Sequence, residues 1–144
     1  MFKPRLAKVW HGKYRYDINE HLDRTEKEVQ FEMHLELKWF GRFTGEIAED
    51  ETGIPEWAKV KGQVTGQSIQ FSKQYPSLWA SNENGEMVTI PGQSSVEILY
   101  QGKLSDDHRS IVGTWQIPFQ TRIIFEQECE FAESTGTWIA KVAD

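Results

Sequence analysis

Between Val29 and Trp39 every second residue is apolar: Val29, Phe31, Met33, Leu35, Leu37 and Trp39 alternate with Gln30, Glu32, His34, Glu36 and Lys38. A helix turning 100° per residue would scatter that apolar set around its circumference, whereas a pleated strand puts it on one face and leaves the polar set to water. The stretch therefore reads as a strand buried on one side. The same period returns at Phe43 and Ile47; at Val60 and Val64; at Ile69, Phe71, Lys73 and Tyr75; at Val96, Ile98 and Tyr100; at Ile111, Trp115 and Ile117; and at Ile123, Phe125, Cys129 and Phe131. With an opening strand near Leu6 to Tyr16 and a last one over Thr137 to Val142, about nine or ten strands are expected.

Turn signals separate them, among them Gly41, Asn84-Gly85, Pro91-Gly92 and Asp106-Asp107. The polar stretch Ser81 to Ser95 reads as a long loop or protruding hairpin. Asn19 to Glu28 reads as a short helix or an irregular crossover. Gly45, Gly62, Gly66, Gly102 and Gly113 fall on the inner parity, where a missing side chain lets a strand bend or a neighbour come close. Barrels need such positions repeatedly, so the expected fold is all-β: one domain over residues 1–144, an antiparallel up-and-down β-barrel, with a β-sandwich as the alternative.

Composition narrows the partners. The net charge of −6 opposes general binding to a phosphate backbone, and no apolar run is long enough for a membrane span or a signal peptide. Cys129 is the only cysteine, so neither an intramolecular disulfide nor a cysteine-based zinc site can form, and a reducing, cytoplasmic location is expected. The four histidines show no close metal-ligand spacing, and no motif points to a cofactor.

Trp10-x-Gly12-x-Tyr14-x-Tyr16, Phe71-x-Lys73-x-Tyr75, Tyr100-x-Gly102 and Ile111-x-Gly113-x-Trp115 together resemble small calycin-like meander barrels, whose larger relatives are lipocalins, fatty-acid-binding proteins and avidins. The resemblance implies an interior able to hold a small, largely apolar ligand. It departs from these families in two respects: no ligand-binding residue of theirs can be carried over by motif, and the lipocalin and avidin signature is displaced. Lipocalins and avidins carry Gly-x-Trp on the first strand, whereas here Gly113-Thr114-Trp115 and Gly136-Thr137-Trp138 lie near the end.

Lys73 shares its parity with Ile69, Phe71 and Tyr75, so it points inward, where an ammonium needs a counter-charge, an exit to the rim or an anionic ligand. Tyr75, Tyr100, Trp115, Gln127 and Cys129 fall on inward parities too, giving a candidate ligand-binding lining of Lys73, Tyr75, Tyr100, Trp115 and Gln127. Glu46, Glu49, Asp50, Glu51 and Glu56 read as a solvated acidic turn without calcium-loop spacing. The expected function is a non-catalytic barrel binding a small amphipathic molecule, with homo-oligomers left open. The rival is a solid barrel that binds another protein through its surface, with Trp39, Trp57 and Trp79 as the rings to watch. An enzyme sited in the barrel mouth ranks third, since no paired groups at chemical spacing occur.

Overall fold

The computed structural model describes residues 6–17, 28–50, 53–81, 84–124 and 126–143. In chain order the strands are β1 (Val9–Tyr16), β2 (Glu28–Leu37), β3 (Arg42–Glu49), β4 (Ala58–Thr65), β5 (Ser68–Gln74), β6 (Leu78–Ser81), β7 (Met87–Ile90), β8 (Ile98–Leu104), β9 (Ser110–Ile117), β10 (Gln120–Ile124), β11 (Gln127–Phe131) and β12 (Ser134–Val142). Eight of them close a barrel in the order β1-β12-β9-β8-β5-β4-β3-β2, every pair antiparallel. Closure removes the exposed sheet edges that a sandwich would have to protect. The remaining four strands form two side hairpins, β6-β7 and β10-β11.

These hairpins account for the difference from the nine or ten strands expected. Of the Ser81 to Ser95 segment, Ser81 and Met87–Ile90 belong to the β6-β7 hairpin, whose Leu78 and Ile90 are buried. The apolar alternation from Ile123 to Phe131, read as one strand, is broken: the chain reverses at Glu126, which has φ 65°, and the two halves pair with each other. Alternation continues across such a reversal, so parity alone carries no mark of it. Gly66, expected on the inner wall, sits at φ 60° in the β4–β5 turn instead. The Asn19 to Glu28 expectation falls mostly on 19–27, outside the described residues.

The two Gly-Thr-Trp repeats explain how β9 and β12 pack. Their register pairs Trp138 with Gly113 and Trp115 with Gly136, so each indole lies across the other repeat's glycine. A side chain at either glycine would occupy the space of that ring. The indole N–H groups reach backbone carbonyls beyond the glycines: Trp138 Nε1 donates to Gln101 O at 3.1 Å and Trp115 Nε1 to Arg15 O at 3.1 Å. Each ring is thus buried with its one polar atom satisfied.

Side chains fill the interior. Phe71 stacks on Tyr100 with ring centroids 4.8 Å apart, and Trp138 meets both edge-on at 5.5 Å. Trp10, Met33, Phe43, Ile47, Ile69 and Ile111 belong to the same core, each at 0–1% exposure. A lumen wide enough for water would leave its lining accessible, so these side chains pack against one another as in an ordinary protein core.

Candidate functional site

The barrel has two unlike ends. At one, β2–β3, β4–β5 and β8–β9 are joined by short turns; at the other, the connections numbered 17–27, 50–57, 75–97 and 118–133 are longer. Polar chemistry gathers inside the barrel at the end with the longer connections. Glu49 is the last residue of β3 and follows Phe43, Gly45 and Ile47 at the same parity, which turns its carboxylate inward. Lys73 follows Ile69 and Phe71 on β5 in the same way.

Lys73 Nζ donates to Glu49 Oε2 at 2.6 Å, with the lysine side chain 1% and the glutamate side chain 0% exposed. Tyr14 Oη donates to Glu49 Oε1 at 2.8 Å, the Ile54 N–H donates to the same oxygen at 3.0 Å, and Tyr75 Oη donates to Oε2. Tyr100 Oη stands 3.5 Å from the ammonium, whose nitrogen also lies over the Tyr14 and Tyr75 rings at 4.8 and 5.0 Å. Among the described residues no buried side-chain nitrogen or oxygen lacks a partner.

The electrostatics keep this cluster fixed. Burial pushes the Glu49 carboxyl up, but Lys73 and the hydrogen-bond donors more than reverse that and hold it below the usual carboxylate range. Burial pulls Lys73 below the ordinary lysine value, against the opposing pull of Glu49. Burial, with the Glu49 charge behind it, drives the Tyr75 and Tyr100 phenols well above their ordinary value, and Tyr14 likewise. The phenols therefore remain donors, and the cluster as a whole is electrically neutral. Its groups are engaged with one another, which leaves no free base or nucleophile.

Of the residues expected to line a ligand site, the fold brings Lys73, Tyr75 and Tyr100 together. Trp115 stands apart from the ion pair, edge-on to Tyr14 at 6.0 Å. Gln127 is not on the barrel wall. It is exposed on β11, paired with Ile124, and the half-buried Cys129 shares that hairpin. Both were placed inward by an alternation that belongs to a hairpin outside the barrel. Glu49, read as part of a solvated acidic turn, is the site's central acceptor. Its parity with Phe43 and Ile47 was the signal available in the sequence.

A second feature lies on the outer wall: an open groove of about 1270 Å³ over the outward faces of β3, β4, β5, β8 and β9. Gln63, Gln70, Gln101 and Thr114 line it together with the exposed apolar side chains of Leu99, Trp39 and Phe40. The Trp39 and Phe40 rings are 81% and 89% exposed. They sit on the turn from Trp39 to Arg42, in which the Arg42 N–H returns to Trp39 O and both central residues have positive φ, 56° at Phe40 and 78° at Gly41. That is the φ pattern of a type I′ turn, whose usual pair is Asn-Gly. A phenylalanine in the left-handed region is unusual, and here its ring gains no packing in return.

Among the described residues no group of three or more His, Cys, Asp or Glu side chains is arranged to hold a metal ion, and no helix is long and apolar enough to cross a membrane. No protein-family model matches the chain, and neither a curated protein nor a solved structure shows significant similarity to it.

Proposed function

We propose that this protein is a non-catalytic binding module whose packed barrel serves as a rigid support for a contact surface on its outer wall, at the groove beside Trp39 and Phe40. The observation that carries this reading is the pairing of a filled interior with two large rings held out in water on a strained turn. Exposed aromatic side chains contribute nothing to the core, and left-handed backbone at a non-glycine residue costs about 1–2 kcal/mol. Such strain persists where the surrounding structure enforces it and is concentrated at functional positions.

A second reading, a small amphipathic ligand held at the end with the longer connections, draws support from the calycin-like likeness and from the buried ion pair. Pairs of this kind are weak contributors to stability and are often replaceable by apolar residues. Because Glu49 already neutralises Lys73, a neutral polar head group suits that end better than an acid. Entry would require movement of Ile54 and Trp79, which pack on the core, and of the contacts Glu56 makes with Ser77 and Trp79.

Native and denaturing mass spectrometry of the purified protein separates the two readings. The outer-wall reading expects the mass of the bare chain or a whole multiple of it. An excess of a few hundred daltons in the native spectrum alone would overturn it in favour of the interior site.

A further inference from the structure

We infer that the outer groove binds an extended, uncharged glycan chain, an inference that rests on the outer-wall reading above. Register places Gln63 beside Gln70, Gln70 beside Gln101 and Gln101 beside Thr114 on four successive barrel strands, all exposed. With neighbouring strands about 4.8 Å apart, this row runs roughly 14 Å around the wall, longer than a single sugar. A side-chain amide presents donors and an acceptor at one position, as a sugar hydroxyl presents both, so a row of amides matches a row of hydroxyls. Gln101 donates to Thr114 Oγ1 at 3.4 Å, while the Gln63 and Gln70 amides make no hydrogen bond to any described residue. In the same groove, Trp39 and Phe40 supply flat apolar surfaces of the kind on which the C–H face of a pyranose packs.

A charged polymer fits this groove less well. A nucleic acid would need a succession of cations. The groove has Lys38, Arg42 and Lys61, of which Lys38 is bonded to Glu36 at 3.0 Å, and Asp17 opposes them in a chain of net charge −6.

Affinity gel electrophoresis of the intact protein tests the inference, with gels containing hydroxyethylcellulose, glucomannan, arabinoxylan or dextran, and with polygalacturonate and an oligothymidylate as charged comparisons. The expected result is retardation by at least one neutral polymer. Trp39→Ala should weaken it at least tenfold and Gln70→Ala about fivefold, the factor typical of one lost hydrogen bond. Val112→Thr, on an exposed residue outside the groove, should leave it unchanged.

Migration unaffected by all four neutral polymers overturns the inference. So does retardation by the charged polymers alone, or retardation that Trp39→Ala leaves intact. If the glycan result fails while the native mass remains that of the bare chain, the outer-wall reading stands and only the ligand class is wrong. A native mass excess would instead remove the outer-wall reading itself.

Discussion

Replacing Lys73 with methionine keeps an unbranched stem in the barrel and removes the ammonium, which leaves the Glu49 carboxylate buried with 0% side-chain exposure. Breaking one partner out of a buried pair typically costs 3–5 kcal/mol. Here Tyr14, Tyr75 and the Ile54 N–H still donate to the carboxylate, so the loss belongs near the lower end, about 3 kcal/mol. At about 2–4 °C per kcal/mol for a chain of this size, the melting temperature should fall by roughly 6–12 °C. Adding Glu49→Gln to Lys73→Met removes the stranded charge but keeps a carbonyl oxygen for the phenols. The double variant should therefore recover at least half of the loss. Urea unfolding followed by tryptophan fluorescence, compared at constant m, measures both quantities. A loss under about 1 kcal/mol for Lys73→Met, or strictly additive effects in the cycle, would refute a desolvated, coupled pair.

Two further outcomes follow from the same structure. The folded pKa of Glu49 lies below its unfolded value near 4.3, so the stabilisation it gives is complete above the unfolded value and is lost as pH falls through the folded one. Wild-type protein should accordingly lose stability more steeply between about pH 5 and 2 than the Glu49→Gln/Lys73→Met variant, as read by acid titration of the unfolding midpoint. Gly113→Ala would place a methyl group 2.7 Å from Trp138 Nε1 and against the Gln101 carbonyl that this nitrogen bonds. Overpacking of this kind costs about 1–3 kcal/mol, and a neutral result in thermal unfolding would contradict the ring-over-glycine packing.

Much of the barrel was legible because its strands are buried on one face, so parity separates core from solvent residue by residue. Parity also held the information for Glu49, two residues beyond Ile47, but its neighbours Asp50 and Glu51 drew it into an apparent surface cluster. Where parity failed, the cause was topological. Gln127 and Cys129 keep the inward period of Ile123, yet a reversal at Glu126 moves them off the wall, and a period of two is blind to a turn that preserves it. The pairing of the Gly-Thr-Trp repeats was equally out of reach. Gly113 meets Trp138 only through the register set by the segment 118–133, and no local pattern reports that register. The outer groove is a property of several strands at once. Its row of amides exists only once β4, β5, β8 and β9 are laid side by side.

Phe40 offers the sharpest test of whether the outer wall was shaped by something other than stability. At φ 56° and ψ 36° it occupies backbone space that glycine enters freely and phenylalanine enters at a cost, and its ring is 89% exposed. Phe40→Gly removes the strain and no buried contact, while the added freedom of the unfolded chain offsets part of the gain. A net stabilisation of roughly 0.5–1 kcal/mol is expected. Strained backbone is concentrated at functional positions, so a residue that weakens its own fold points to a contact outside it. Thermal unfolding decides the matter. A variant more stable than the wild type supports the strained turn as a functional device, whereas a variant destabilised by more than about 1 kcal/mol would mean that the Phe40 ring packs against the barrel and is structural after all.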